Sequence, residues 1–114
     1  MRGHLDYLQD ILNAIEDVNN FVKNMDQEEF KDDKKTFLAV VKCIEIIGEA
    51  AKNVPKSIRN RHEEVPWKDV AGMRDKLSHV YFGIDIEVVW KTIQRDLPIL
   101  NEQISRIMKE SKGE

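Results

Sequence analysis

Residues 72–83 read GMRDKLSHVYFG, and positions 74–81 carry Arg74, Asp75, Ser78, His79 and Tyr81. With Arg74 set at zero on a helix advancing about 100° per residue, Ser78 falls at about 40°, Asp75 at about 100° and His79 at about 140°. Met73, Leu77 and Val80 fall between about 240° and 300°, so the apolar stripe and the polar set lie on opposite sides. Asp75 and His79, four residues apart, can meet on one face, where the carboxylate would favour the imidazolium and fix its ring. A histidine so held is suited to general acid–base work, and Arg74 supplies a permanently charged fork matched to phosphate. The set therefore points to phosphate chemistry. No cysteine lies near it, Ser78 lacks a base partner for acyl transfer, and no glycine-rich phosphate loop occurs.

A metal or other cofactor is not expected. His4, His62 and His79 share no ligand spacing, and Cys43 stands alone. A nuclease built on this set would be metal-independent, with RNA as its natural substrate, because the RNA 2′-hydroxyl can itself attack the adjacent phosphorus. One chain offers a single histidine on this face, about 140° around the helix from Arg74. A two-fold dimer would bring two arginines and two histidines into one cleft.

These residues need a rigid frame, and the 114-residue chain has the periodicity to build one. Its length suits one domain, 1–114, with a single core. Leu5, Leu8, Ile11, Leu12, Ile15, Val18 and Val22 recur at helical steps and predict a helix over about 4–24. Asp26 and Glu29 form a capping box for a short helix. A longer helix is expected from Asp32 or Asp33 to about Val54, buried through Phe37, Val40, Val41, Ile44, Ile47 and Ala51 and ended by Pro55. Gly48, beside Ala50 and Ala51, signals close packing. A short helix or turn follows in PKSIRNRHEEV, then a helix over Pro66–Phe82, a turn at Gly83, and a final helix from Asp85 that Pro98 should kink. Trp67 and Trp90 are expected in the core. The fold class is all-α: an antiparallel up-and-down bundle of four principal helices plus short ones.

Charge narrows the partners. A formal net charge of −3 argues against a protein that coats nucleic acid but permits a few phosphate contacts at one site. Lys52, Lys56, Arg59, Arg61 and His62 gather in one stretch, which reads equally well as a solvated loop or as a contact for RNA or a protein partner. Along the long helix, Lys42, Glu45, Glu49 and Lys52 read as ion-paired neighbours, with Glu49 also placed to line a cleft. No membrane span or signal sequence is expected, and a single cysteine fits the reducing cytoplasm.

The segment GMRDKLSHVYFGIDIEVVW resembles the HepT-like ribonuclease toxins of the HEPN superfamily, whose signature is arginine, four residues, histidine, one residue, tyrosine. CIEIIGEAAKNVP, VPWKDVAGMR and VVWKTIQRDLP extend the likeness over about 37–98. The resemblance implies a homodimeric helical bundle with a metal-independent endoribonuclease site across the dimer. Arg74 and His79 would be catalytic, with Asp75 in support at a place where asparagine is frequent. It further implies a minimal nucleotidyltransferase antitoxin as partner, able to transfer AMP to Tyr81. Lys76 and Ser78 are candidate RNA or partner contacts, Ser78 alternatively serving as a small residue between dimer helices. The competing expectation is a non-catalytic helical module that docks to a nucleotidyltransferase or presents nucleotide or RNA to it.

Overall fold

The computed structural model describes residues 2–73, 75 and 86–113. Helix α1 (His4–Phe21) is followed by α2 (Gln27–Asp32), α3 (Lys34–Asn53), α4 (Lys56–Arg61) and α5 (Trp67–Ala71). After the undescribed stretch come α6 (Ile86–Lys91), a π-helical turn (Thr92–Asp96) and α7 (Leu97–Gly113). No strand occurs among the described residues. The fold class is all-α, as the periodicity requires.

The core is built from the stripes that the sequence displays. Leu8, Ile11, Ile15 and Val18 of α1 are buried, and α1 packs against both α3 and α7. Helix α3 contributes Val40, Ile44, Ile47 and Ala51, and α7 contributes Leu97, Leu100, Ile104 and Ile107. Gly48 is buried among them on α3, which also packs against α5. Cys43 is buried too, and burial pushes its thiol pKa upward, so this group is poorly suited to act as a thiolate nucleophile.

Local chemistry sets the helix ends. Asn24, at φ 64°, turns the chain out of α1 in the left-handed region that asparagine tolerates. The Asp26 carboxylate accepts from the Glu29 amide at 2.8 Å while the Glu29 side chain accepts from the Asp26 amide at 3.1 Å. Asp33 closes α2 and caps α3: it accepts from the Thr36 amide at 3.0 Å and from the Thr36 hydroxyl at 2.7 Å. Those two bonds hold its carboxyl below its ordinary value of 3.8.

A group whose folded pKa is depressed contributes stability above its unfolded value and loses it as pH falls through the folded one. Asp33→Asn keeps an N-cap but does not titrate. Urea midpoints measured from pH 5 downward should therefore fall less steeply for Asp33→Asn than for the wild type below about pH 4. Parallel curves would remove the Asp33 contribution.

Helix α2 is a short element anchored by one ring. Phe30 is fully buried, with ring centroids 5.7 Å from Phe37 and 5.2 Å from Trp90. Trp67 is buried at the start of α5 and donates its indole N–H to the His62 carbonyl at 2.9 Å. Both tryptophans thus serve the core, as expected.

The structure adds detail at Gly72 and at Pro98. Within the helix expected over Pro66–Phe82, α5 ends at Ala71, Gly72 is a turn, and Met73 and Asp75 are again helical. The Gly72 amide donates to the Lys68 carbonyl at 2.9 Å, and the Asp75 amide donates to the Gly72 carbonyl at 3.0 Å. Glycine costs a helix about 1 kcal/mol relative to alanine, so the pattern of apolar residues alone does not carry α5 past it. At Pro98 the strain is taken up by the π turn that precedes it, in which the Leu97 amide donates to the Thr92 carbonyl. Proline lacks the amide for a bond to residue 94 and crowds that carbonyl; a wider turn relieves both. Val88 of α6 is 43% exposed.

Candidate functional site

Of the candidate catalytic set, Asp75 is the described member. It is exposed and helical, and its amide donates to the Gly72 carbonyl at 3.0 Å. Arg74, Lys76, Ser78, His79 and Tyr81 lie outside the described residues, as do Leu77, Val80 and the Gly83 turn.

The elements on either side of that stretch are firmly tied. On the N-terminal side, Trp67 and Val70 sink α5 into the core beside α3. The Gln103 amide of α7 donates to the Glu64 carbonyl at 2.9 Å, fixing the loop that leads into α5. On the C-terminal side, Val89 is buried and Trp90 lies against Phe30. The sequence between these anchors is the one whose residue types suit phosphate chemistry.

Beside the N-terminal anchor is an open depression of about 560 Å³. Lys52 at the end of α3, Lys56 and Arg59 of α4, and Lys68 of α5 line it, together with Glu63 and Asp69. Three of the four cations singled out in the sequence are thus brought together. Arg61 does not line the depression, and Lys68, which the sequence reading passed over, does. The signal for Lys68 is weak in sequence, since sixteen residues and three segments separate it from Lys52. Packing of α5 on α3 joins them.

His62 also leaves the basic group. Its side chain is only 12% exposed, with Nδ1 at 3.5 Å from Glu64 Oε1 and 3.9 Å from Glu110 Oε2. Lys42 and Glu45 stand 3.9 Å apart on the surface of α3, a weak ion pair at that exposure. Among the described residues, no three His, Cys, Asp or Glu side chains gather as metal ligands would, and no helix is long and apolar enough to cross a membrane.

An all-α bundle with a phosphate-suited arginine–histidine–tyrosine segment between α5 and α6 has a defined place among known proteins. Residues 11–107 match the family model described as Ribonuclease HepT-like, and the chain belongs to that family. It is 47% identical to "Probable ribonuclease HepT" of Thermococcus cleftensis over 95% of this chain and 98% of that one. It is 46% identical to "Putative RNase MJ1216" of Methanocaldococcus jannaschii, covering 94% of this chain and 88% of the relative. A bacterial relative, "Putative RNase TTE0752" of Caldanaerobacter subterraneus, is 44% identical over 93% of this chain and 95% of its own. No solved structure matches.

Proposed function

We propose that this protein is a metal-independent endoribonuclease acting as the toxin of a toxin–antitoxin pair. The observation that carries the reading is the Arg74–His79–Tyr81 spacing in a chain of the HepT-like family. The names of its relatives as ribonucleases point the same way.

In the proposed reaction the 2′-hydroxyl of RNA attacks the adjacent phosphorus and gives its proton to a His79 imidazole. The bond from phosphorus to the 5′-oxygen breaks, and that oxygen takes a proton from an imidazolium, leaving a 2′,3′-cyclic phosphate and a 5′-hydroxyl. Arg74 offsets the charge that builds on the non-bridging oxygens. Asp75 orients His79. Base and acid are two functions for one histidine per chain, which is why the site is assigned to a homodimer with the second His79 supplied by the other copy. Leu38 and Ile46 support a dimer: they are 43% and 40% exposed, and eight residues apart they share one face of α3.

The off-switch is a nucleotidyltransferase antitoxin that transfers AMP from ATP to the Tyr81 hydroxyl: the phenolic oxygen bonds to the α-phosphorus, the α–β phosphoanhydride breaks, and pyrophosphate and the phenolic proton leave. The added phosphate and nucleotide would stand beside Arg74 and compete with RNA. The test is incubation of the purified protein, without partner, with RNA in EDTA, after mass spectrometry has established that Tyr81 is unmodified. The expected result is cleavage leaving 2′,3′-cyclic phosphate ends. Absence of cleavage by unmodified dimer on RNA from its own host would overturn the nuclease reading in favour of a docking module.

A further inference from the structure

We infer that the depression between α3, α4 and α5 is a track for the phosphate backbone of single-stranded RNA. This rests on the nuclease reading and names where the substrate strand lies outside the reacting phosphate. Lys52, Lys56, Arg59 and Lys68 converge there against Glu63 and Asp69, so a chain that is acidic overall presents a local excess of positive charge.

These cations are not committed to the fold. Among the described residues none of the four forms an ion pair, and the Arg59 Nε makes no hydrogen bond. Four positive groups gathered beside only two carboxylates, and ion-paired to neither, leave a net repulsion that a polyanion would relieve. The track is also well located. Its α5 wall ends at Ala71, and the chain then passes through Gly72 into the Arg74–His79 segment.

A protein partner fits the surface less well. Protein interfaces are anchored by exposed aromatic or large apolar side chains, and those among the described residues, Phe21, Leu38, Ile46, Val88 and Ile99, all lie outside the depression. Trp67, which does line it, is only 8% exposed.

The test uses the full chain and a 2′-O-methyl RNA oligonucleotide, which cannot be cleaved by 2′-hydroxyl attack. Binding is measured across a salt series for the wild type and for the triple variant Lys52→Gln/Lys56→Gln/Lys68→Gln, whose positions are all exposed. Each phosphate contact on a single strand contributes about 0.7 to the slope of log affinity against log salt. The triple variant should therefore lose about 2 from the slope and on the order of 100-fold in affinity at 0.1 M salt. A control triple, Lys23→Gln/Lys31→Gln/Lys109→Gln, removes the same charge elsewhere on the surface and should bind nearly as the wild type does.

Equal affinity and slope in wild type and first triple would overturn the track, as would equal losses in both triples. Loss of nucleotidyltransferase binding with RNA binding intact would overturn it in favour of a protein-docking surface. A wild type that binds the oligonucleotide through these lysines yet cleaves no RNA refutes the nuclease reading alone. One that cleaves while the first triple binds undiminished refutes the track alone.

Discussion

His79→Ala is expected to reduce RNA cleavage by roughly 10²–10⁴-fold, the range that a positioned general acid or base supplies. Arg74→Ala should cost a similar factor, because the charge it offsets is greatest in the transition state. The measurement is single-turnover cleavage by each variant, with circular dichroism and sedimentation establishing that fold and assembly match the wild type. The double variant should fall little below the worse single one, since groups that act on one transition state do not contribute independently. Mixed dimers offer a sharper discrimination. If the two chains share one cleft, an Arg74→Ala chain paired with a His79→Ala chain retains one of each group and should recover part of the lost rate. A His79→Ala variant that cleaves at the wild-type rate would remove His79 from the mechanism.

The largest effect on stability is expected at Phe30. This side chain is fully buried and touches the rings of Phe37 and Trp90, so it joins α2 to both α3 and α6. Phe30→Ala should cost about 3–5 kcal/mol, from lost burial plus the cavity left behind. Against a total of about 5–15 kcal/mol for an ordinary domain, that is a large share. Urea denaturation checks it, with the midpoint falling and the slope little changed if the transition remains two-state. Phe30→Leu should cost less, because much of the volume is retained. Trp90 lies five residues beyond the undescribed stretch, so loosening its packing should also lower cleavage in the folded fraction. A Phe30→Ala protein as stable as the wild type would mean that the surrounding rings close the space.

Much of the frame was legible in the sequence because it depends on interactions between near neighbours. Helical periodicity in α1 and α3 names most of the residues that are buried, while Leu5, Leu12 and Phe37 are only partly so. The Asp26–Glu29 box and the Asp33 cap are three-residue patterns whose hydrogen bonds form as their spacing predicts. Pro55 stops α3 because the residue before a proline is driven out of the helical region, and Val54 is extended at ψ 128°. The interruption at Gly72 was harder to read, since an apolar stripe of Val70, Met73 and Leu77 argues for continuity while one residue's propensity argues against it. The π turn before Pro98 was read only as a kink, because a wider turn and a bend both relieve the same clash.

The sequence by itself determined the helix class, the main caps, the buried stripes and the phosphate-suited spacing of Arg74, Asp75 and His79, all matters of residue type and short separation. Tertiary structure decided what distant segments share. It set Lys68 beside Lys52, turned His62 away from the basic group toward Glu64 and Glu110, and made Phe30 the joint between three helices. The physical reason is that helix periodicity fixes which face of an element is apolar, whereas the packing of one apolar face on another fixes which polar residues at their rims become neighbours.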